Sequence, residues 1–361
     1  MALWAAAQVG HALVSWHFIA TGAALLGSDD TGAGLHLYAT HPQLQIGPLT
    51  FLAAAPLNGL PAWLSGSVAA VVIAATAPAM LLSLSHLPHL TVTSRQRGLA
   101  AAVLLPVWAE LAVHYTHLDD ALALVLLIAG MHAVARCRPI PAALLLAESA
   151  DAKPWALAFV PLLLVLPRDR WHRAVPVWLV AVAAAWLPFV LADSLTLHAG
   201  GFSIPNVASS SLRAMGVTAA STPSWDRPVQ LLLGIALGAV AVHRGRWLVV
   251  PAVVLATRML LDPGAYPYYT AGLVLATVIM DLGWLPDPLA MGQHGGRSRA
   301  VCHTQHRAFH PHQRNPRLVA RGDPAGCAGG RPWSRLARTP RSRLAPKPIC
   351  CLLGHPAERE P

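Results

Sequence analysis

Charged residues are scarce in this chain of 361 residues. Asp, Glu, Lys and Arg make up 12% of it and hydrophobic residues 55%, whereas a typical soluble protein carries about 25% charged residues. This shortage excludes an ordinary soluble domain. Lysine is the scarcest charge, because Lys153 is the only lysine before residue 292.

Motifs of soluble nucleotide-binding enzymes are also missing. The chain has no P-loop and no GxGxxG motif behind a strand, so no nucleotide-binding domain is predicted. Its second half does not look like an inverted copy of the first, which is the pattern of many secondary transporters. Its five cysteines form no recognisable disulfide framework.

Positive charge is concentrated in the last 70 residues. Residues 292–361 contain 13 Lys and Arg against 3 Asp and Glu, and the rest of the chain holds 13 of each sign. This Arg-, His-, Pro- and Gly-rich tail lacks periodicity, which is typical of disorder. We therefore predict a transmembrane domain over 1–290 and a disordered basic tail over 291–361, and no nucleic-acid partner.

Three interpretations of the tail stay open. A basic segment beside a membrane domain is typical of binding to anionic lipid. The abrupt change in composition at Gly292 also fits translation of an altered reading frame. The third interpretation is metal binding, although the spacing of the ligand types matches no zinc pattern; they are Cys302, His303, His306, His310 and His312.

Apolar stretches follow one another over residues 1–290. A helix needs roughly 20 apolar residues to cross about 30 Å of hydrocarbon. The stretches at 139–148 and 154–167 predict two half-length spans with a break near Lys153, because Pro154 restricts the residue before it. A further stretch, 46–58, is too short to cross upright and predicts an interfacial or re-entrant helix. The fold class is all-α, a polytopic membrane protein with about ten transmembrane helices, at 2–27, 62–85, 98–115, 121–135, 139–148, 154–167, 174–193, 229–242, 247–261 and 270–285.

The charges between these stretches alternate in sign along the chain. Short loops rich in Lys and Arg stay in the cytoplasm, and every second loop is of this kind, with Arg95, Arg97, Arg136, Arg138, Arg168, Arg170, Arg173, Arg244 and Arg246. The other loops hold Asp29, Asp30, Asp119, Asp120, Asp151, Lys153, Arg213, Asp226, Arg227 and Asp262. We predict a plasma-membrane protein with both termini in the cytoplasm and the active face outside.

The outward-facing acids are the first candidate site. Carboxylates near a membrane surface can act as a general base or ligate a divalent cation. A divalent cation is therefore an open alternative, although the sequence assigns no metal site and no cofactor. The simpler interpretation is that the acids are solvated, or that they complement a helix dipole. The residues are Asp29, Asp30, Asp119, Asp120 and Asp262.

Two cations are the second candidate. Lys153 lies at the predicted helix break, and an ionisable group at membrane depth is costly enough to suggest a function. It could bind a lipid phosphate, snorkel, or pair with Asp151 or Glu148. Arg258 precedes Asp262 by four residues, so it could pair with that carboxylate or face a phosphate in a cavity.

Aromatic and small residues near the last spans have two interpretations each. Tyr266, Tyr268 and Tyr269 fit either an aromatic belt at the membrane interface or a surface that stacks on a sugar. Gly234 and Gly238 form a GxxxG motif, which permits close packing of helices and is also common by chance.

Three stretches together resemble one family. They are Gly34–Tyr38 with His41–Pro48, then His117-Leu-Asp-Asp-Ala-Leu122, then Ala150-Asp-Ala-Lys-Pro-Trp155 followed by Pro161. They resemble bacterial multi-pass glycosyltransferases of the GT-C superfamily, and most of all the polyprenyl-phosphate-mannose-dependent mannosyltransferases. The resemblance covers about 1–285, where the ten spans are predicted.

That resemblance implies a transferase acting outside the cytoplasm. A sugar, mannose in these relatives, passes with inversion from a polyprenyl-phosphate donor to a lipid or glycan acceptor among membrane lipids. Asp29 or Asp30 would be the base, Asp119 and Asp120 a second acidic motif, and Lys153 with Arg258 the donor phosphate site. Contacts with sugar or acceptor would come from Tyr38, Asp262, Tyr268 and Tyr269.

The chain departs from the family at Gly34–Tyr38, where an aspartate is expected just before the aromatic residue. His36 could replace it as the base, or the protein could be a non-catalytic assembly partner. A transporter or channel is the other alternative, because several predicted spans contain polar residues that could form a proton path: Gln8, His11, His17, Glu110, His114 and His132.

Overall fold

The computed structural model describes residues 13–284 except 89, 200 and 265. The start of the first predicted span, with Gln8 and His11, and the whole predicted tail lie outside these residues. The described part is all-helical, as predicted, with one isolated antiparallel bridge between Pro205 and Ser221. The described residues of the long polar stretch 194–228 form two single-turn helices, Thr196–Ala199 and Ser211–Ala214, and the first turn of a longer helix that begins at Asp226.

Ten helices of seven or more residues make up most of the described part, together with a 3₁₀ helix. Their bounds are α1 Trp16–Leu26, α2 Pro48–Ala54, α3 Ala62–Ser85, α4 Ser94–Ala109, α5 Leu118–Ala135, α6 Pro139–Ala152, α7 Arg168–Ala192, α8 Asp226–His243, α9 Val250–Leu261 and α10 Tyr269–Trp284. The 3₁₀ helix, Pro154–Val165, lies between α6 and α7.

Within the described residues, four helices are long and apolar enough to cross a membrane. They are α3, α4 with its continuation to Tyr115, α5 and α7. Five other apolar helices among the described residues have 10–17 residues. The described part thus holds four candidate spans, where the sequence predicted about ten over 1–290. Two of the short helices end close to a proline, the 3₁₀ helix at Val165 before Pro167 and α9 at Leu261 before Pro263. The 3₁₀ helix partly compensates, because its 12 residues rise by about 2 Å each.

Helix α5 lies at the centre of the bundle. In the most apolar stretch of α5, 72% of the residues are buried, compared with 11% in the corresponding stretch of α7. The main core cluster includes Leu127 of α5 and, from neighbouring helices, side chains such as Leu104, Trp108 and Phe159. Helix α7 instead exposes a row of large apolar side chains, as expected for a surface in contact with lipid: Leu179, Val180, Leu187 and Leu191.

The glycines of α8 allow close approach to the 3₁₀ helix. A Cβ atom at Gly234 would lie 3.3 Å from Cβ of Ala158, and one at Gly238 would lie 3.1 Å from Cγ of Pro161. Both distances are tighter than ordinary contacts. The packing role expected for the GxxxG motif is therefore confirmed.

The start of α2 is fixed against the end of α6. The backbone N–H of Gly47 and the hydroxyl of Thr50 both donate to the carbonyl of Ala152, each at 3.0 Å. Pro48 at the first position of α2 suits a helix N-terminus. A Cβ atom at Gly47 would overlap the backbone of Asp151, so glycine is required there.

We expect Gly47→Ala to destabilise the protein by about 1–3 kcal/mol, because the added methyl group must push α2 off the end of α6. Thermal unfolding of the purified protein in detergent would measure the change. Gly59→Ala is the matched control, because nothing lies within 4 Å of a Cβ atom there. Equal melting temperatures for the two variants would contradict the contact.

Candidate functional site

A cluster of charged side chains lies where the N-terminus of α5 meets the turn after α6. Lys153 Nζ bonds to Asp119 Oδ2 and lies 3.8 Å from Asp120 Oδ2. Asp119 is fully buried and Asp120 is 6% exposed. Buried carboxylates of this kind need a partner, and the lysine provides it.

The helix break predicted before Pro154 is confirmed, and it positions the lysine. Helix α6 ends at Ala152, and Lys153 has an extended backbone (φ −146°, ψ 114°). The 3₁₀ helix then begins at Pro154. Lys153 therefore turns towards α5 instead of pairing with Asp151 or Glu148.

His117 completes the acidic end of the cluster. Helix α4 continues as a π-helix, Glu110–Tyr115, and ends at Thr116, whose backbone is left-handed (φ 55°). This turn places His117 Nδ1 3.1 Å from Asp119 Oδ1 and 3.5 Å from Asp120 Oδ2. His117 was not among the site residues predicted from the sequence, although it begins the His117–Leu122 stretch.

Arg258 of α9 joins the cluster from the other side. Its NH1 lies 3.6 Å from Asp120 Oδ1, and its Nε lies 3.9 Å from Asp262 Oδ2. The i, i+4 pair with Asp262, one of the two interpretations of Arg258, is thus present, and the guanidinium contacts α5 as well. It also lies 4.7 Å from the ring centre of Trp155 and 4.3 Å from that of Tyr269.

Aromatic side chains line the cluster. Trp155 donates its indole N–H to Asp120 Oδ1 at 3.2 Å, a role that the sequence alone did not suggest. Tyr268 stacks on His117 with ring centres 3.8 Å apart. Burial raises the pKa of Tyr268, and Tyr269 and Asp120 raise it further, so its phenol remains a neutral donor.

The cluster extends to the N-terminus of α8. Arg227 NH1 lies 3.8 Å from Asp262 Oδ2. Gln230 donates from its amide to Asp226 at 2.7 Å and to the carbonyl of Leu261 at 3.1 Å. These contacts connect α8 to the end of α9. They also add Arg227 to the cluster as a third cation, although the sequence predicted it only as a loop residue.

Several buried polar atoms of the cluster have no hydrogen-bond partner among the described residues. Unpaired buried polar atoms are uncommon in proteins and often mark a place for a ligand or water. The arginine pairs at 3.6–3.9 Å are also too long for hydrogen bonds. The unpartnered atoms are His117 Nε2, Asp120 Oδ2, Arg258 Nε and Asp262 Oδ2.

The cluster also contains ligand types suited to a divalent cation. One ligand atom each of His117, Asp119 and Asp120 lies within 4.8 Å of the others. However, the Lys153 ammonium already bonds to Asp119. A metal ion at these carboxylates would have to compete with that charge, so the donor set alone assigns no metal.

The remaining predicted site residues lie elsewhere. Asp30 is exposed and accepts from the Ser28 hydroxyl at 2.7 Å, and its neighbour Asp29 is exposed too. His36 Nδ1 lies 3.6 Å from Asp193 Oδ2. No hydrogen bond or ion pair connects these three to the cluster within the part of the chain that the structure describes.

Tyr38, predicted to contact sugar, is a core residue in the structure. It is 2% exposed, donates its hydroxyl to the carbonyl of Ile46 at 2.8 Å, and packs against Trp186 and Phe189. A ring buried in this way stabilises the loop after α1 and does not face a ligand.

His132, one of the residues of the transporter alternative, also has a structural role. Its Nε2 lies 2.9 Å from the hydroxyl of Ser83, which connects α5 to α3. His17 lies on the exposed side of α1, and its ring contacts Phe18. Neither residue contributes to the charged cluster.

Comparison with models of protein families, with curated protein sequences and with solved structures gave no match. The geometry of the cluster and the resemblance of short motifs are therefore the grounds on which a function can be proposed.

We expect Lys153→Met to destabilise the protein by about 3–5 kcal/mol, because it leaves the buried Asp119 carboxylate unpaired. The double variant Lys153→Met, Asp119→Asn should recover part of this loss. Thermal unfolding in detergent would measure both. Asp30→Asn, at an exposed site, should stay within about 0.5 kcal/mol of wild type, and a similar value for Lys153→Met would contradict the pairing.

Proposed function

We propose that this chain is an integral membrane glycosyltransferase. It transfers a sugar, with mannose the first candidate, from a polyprenyl-phosphate donor to a lipid or glycan acceptor outside the cytoplasm, with inversion. The observation that supports this proposal is the buried cluster itself. Carboxylates, an ammonium and a guanidinium converge there, and four buried polar atoms have no hydrogen-bond partner among the described residues.

The cations suit the donor phosphate. Lys153 supplies a point charge, and Arg258 supplies a planar set of donors that matches phosphate oxygens. Their side chains are 12% and 10% exposed, so a phosphate bound there would be largely shielded from water. Low polarity strengthens such charge pairing.

The aromatic side chains suit the sugar. Trp155 and Tyr269 lie against the guanidinium of Arg258, and Tyr268 packs on Tyr269, so these rings lie close to the proposed phosphate site. Asp262 has an oxygen without a hydrogen-bond partner, which could accept from a sugar hydroxyl. A metal ion is an alternative way to neutralise the phosphate, with His117, Asp119 and Asp120 as its ligands.

The reaction needs one base. The acceptor hydroxyl oxygen attacks the anomeric carbon opposite the phosphate and passes its proton to a carboxylate, while the bond from that carbon to the phosphate oxygen breaks and polyprenyl phosphate leaves with the electron pair. The resemblance implies Asp29, Asp30 or His36 as the base. The cluster offers Asp120, whose Oδ2 has no hydrogen-bond partner.

The proposal also includes the finer topology. Ten spans, counting the short helices, put the arginine-rich loops and both termini in the cytoplasm, and the turn at His117–Asp120 at the outer face of the plasma membrane. The donor would then enter from the outer leaflet beside α9 and α10.

We expect Asp120→Asn, Lys153→Ala and Arg258→Gln each to reduce sugar transfer roughly 10²–10⁴-fold, the range for loss of a base or charge stabilisation. The assay measures transfer of labelled mannose from polyprenyl-phosphate mannose in membranes that contain each variant. Asp30→Asn tests whether the base comes from the loop after α1 or from the cluster. If it alone abolishes transfer, the base lies in the first loop.

Arg97→Gln is the control for Arg258→Gln, because Arg97 is exposed at the start of α4. It should keep wild-type activity. If each of the three variants Asp120→Asn, Lys153→Ala and Arg258→Gln kept full activity, this site would be ruled out.

Labelling with a membrane-impermeant maleimide tests the orientation. In a chain whose native cysteines are replaced by serine, we expect Asn58→Cys to react in intact cells and Arg97→Cys to react only after lysis. Both positions are exposed. The reverse pattern would place the cluster at the cytoplasmic face, and an extracytoplasmic transferase would be excluded.

Ion-coupled transport is the second candidate, and one observation favours it. Positive and negative side chains alternate in a row that runs from the turn after α6 across α5 and α9 to α8, and chains of ionisable groups occur in proton paths. In order, they are Lys153, Asp120, Arg258, Asp262 and Arg227. A pH-dependent flux in proteoliposomes, without any sugar transfer, would favour transport over the transferase.

A further inference from the structure

A cavity lies on the side of the Lys153 turn that faces away from the charged cluster. Its volume is about 280 Å³, near the lower end of the roughly 300–1,000 Å³ typical of ligand pockets. It lies between α1, α2, α6 and α7, and most of its lining is apolar. The lining includes Leu26, Leu49, Leu52, Ala184 and Phe189.

Two carboxylates, Glu148 and Asp151, also line this cavity. They are three residues apart on α6, so they lie on the same side of the helix. Asp151 is 5% exposed, and its Oδ1 has no hydrogen-bond partner among the described residues. The side chain of Trp186 interacts with the same carboxyl group, and Glu148 is half-buried.

Neither acid has a cationic partner among the described residues. The nearest lysine along the chain, Lys153, pairs with Asp119 and Asp120 instead. Buried charges are normally paired or neutralised, and burial raises the pKa of Asp151 to about 7. A cation between the two acids would supply the missing countercharge and favour the ionised form of both carboxyl groups.

The mouth of the cavity opens on the outer surface of the bundle. Leu52 is 60% exposed there, and Ala184 belongs to the exposed side of α7. Helix α7 is the candidate span with the smallest buried share, so hydrocarbon chains of the bilayer would lie next to this mouth.

We propose that this groove binds a membrane-borne amphiphile whose head group is a primary ammonium, with the ammonium between Glu148 and Asp151 and the alkyl chain along Leu49, Leu52 and Ala184. Charge complementarity supports this occupant over the others. A phosphate head group would be repelled by the two acids, and an alcohol would leave their charge unbalanced. The inference does not depend on the transferase proposal.

Photo-crosslinking of the full-length protein in nanodiscs tests it. The probe is a long-chain primary alkylamine with a diazirine next to the head group, compared with the matching alcohol and the matching alkyl phosphate. Adducts are mapped by mass spectrometry of peptides. We expect the amine to label the peptides containing Leu49, Leu52 or Ala184 roughly tenfold more than the alcohol, as expected for charge-assisted hydrogen bonds.

The variant Glu148→Gln, Asp151→Asn should lose this preference while keeping its melting temperature. Asp151→Asn alone serves if the double variant melts early, because the amide keeps the shape of the carboxylate. Glu110→Gln is the matched control, because Glu110 does not line this cavity, and it should label like wild type. Equal labelling by amine and alcohol, stronger labelling by the phosphate, or an unchanged preference in the variants would overturn the proposal.

Discussion

The ion pair between Lys153 and the two aspartates of α5 is the interaction on which the candidate site depends. Removing charges from water costs several kcal/mol per ion, and only good geometry with further hydrogen bonds offsets that cost. Asp119 has no exposure at all, so the end of α6 must deliver the lysine to it. The break at Lys153, the extended backbone there and the turn that places His117 all serve this requirement.

Much of the helical framework could be predicted from the sequence, because apolar runs and prolines mark where helices run and end. The break before Pro154 and the pairing of Arg258 with Asp262 follow from local spacing. The roles of His117, Trp155 and Arg227 could not be predicted, since their partners come from other helices and no periodic signal marks them. Burial of Tyr38 was missed for the same reason, because its loop is fixed by contacts with α7.

The turn between α6 and the 3₁₀ helix separates two environments of opposite sign. On one side the ammonium of Lys153 and the guanidinium of Arg258 favour an anionic group. On the other side, Asp151 and Glu148, two and five residues before Lys153, line an apolar groove in which no cation lies among the described residues. The backbone N–H of Gly47 and the hydroxyl of Thr50 both donate to the carbonyl of Ala152 and hold α2 against this same turn. A displacement of α2 would therefore disturb the charged cluster and the apolar groove together.

The 3₁₀ helix gives the bundle a straight ridge. With three residues per turn, side chains three positions apart lie in line, and Trp155, Ala158 and Pro161 occupy such positions. Three residues of a 3₁₀ helix and four of an α-helix both advance about 6 Å, so Ala158 and Pro161 match the spacing of Gly234 and Gly238 on α8. The contacting positions of the two helices are therefore equally spaced. A shift of one helix along the other by one such spacing would move the indole of Trp155 past Asp120. The packing of the two helices therefore fixes the position at which the Trp155 ring contacts the charged cluster.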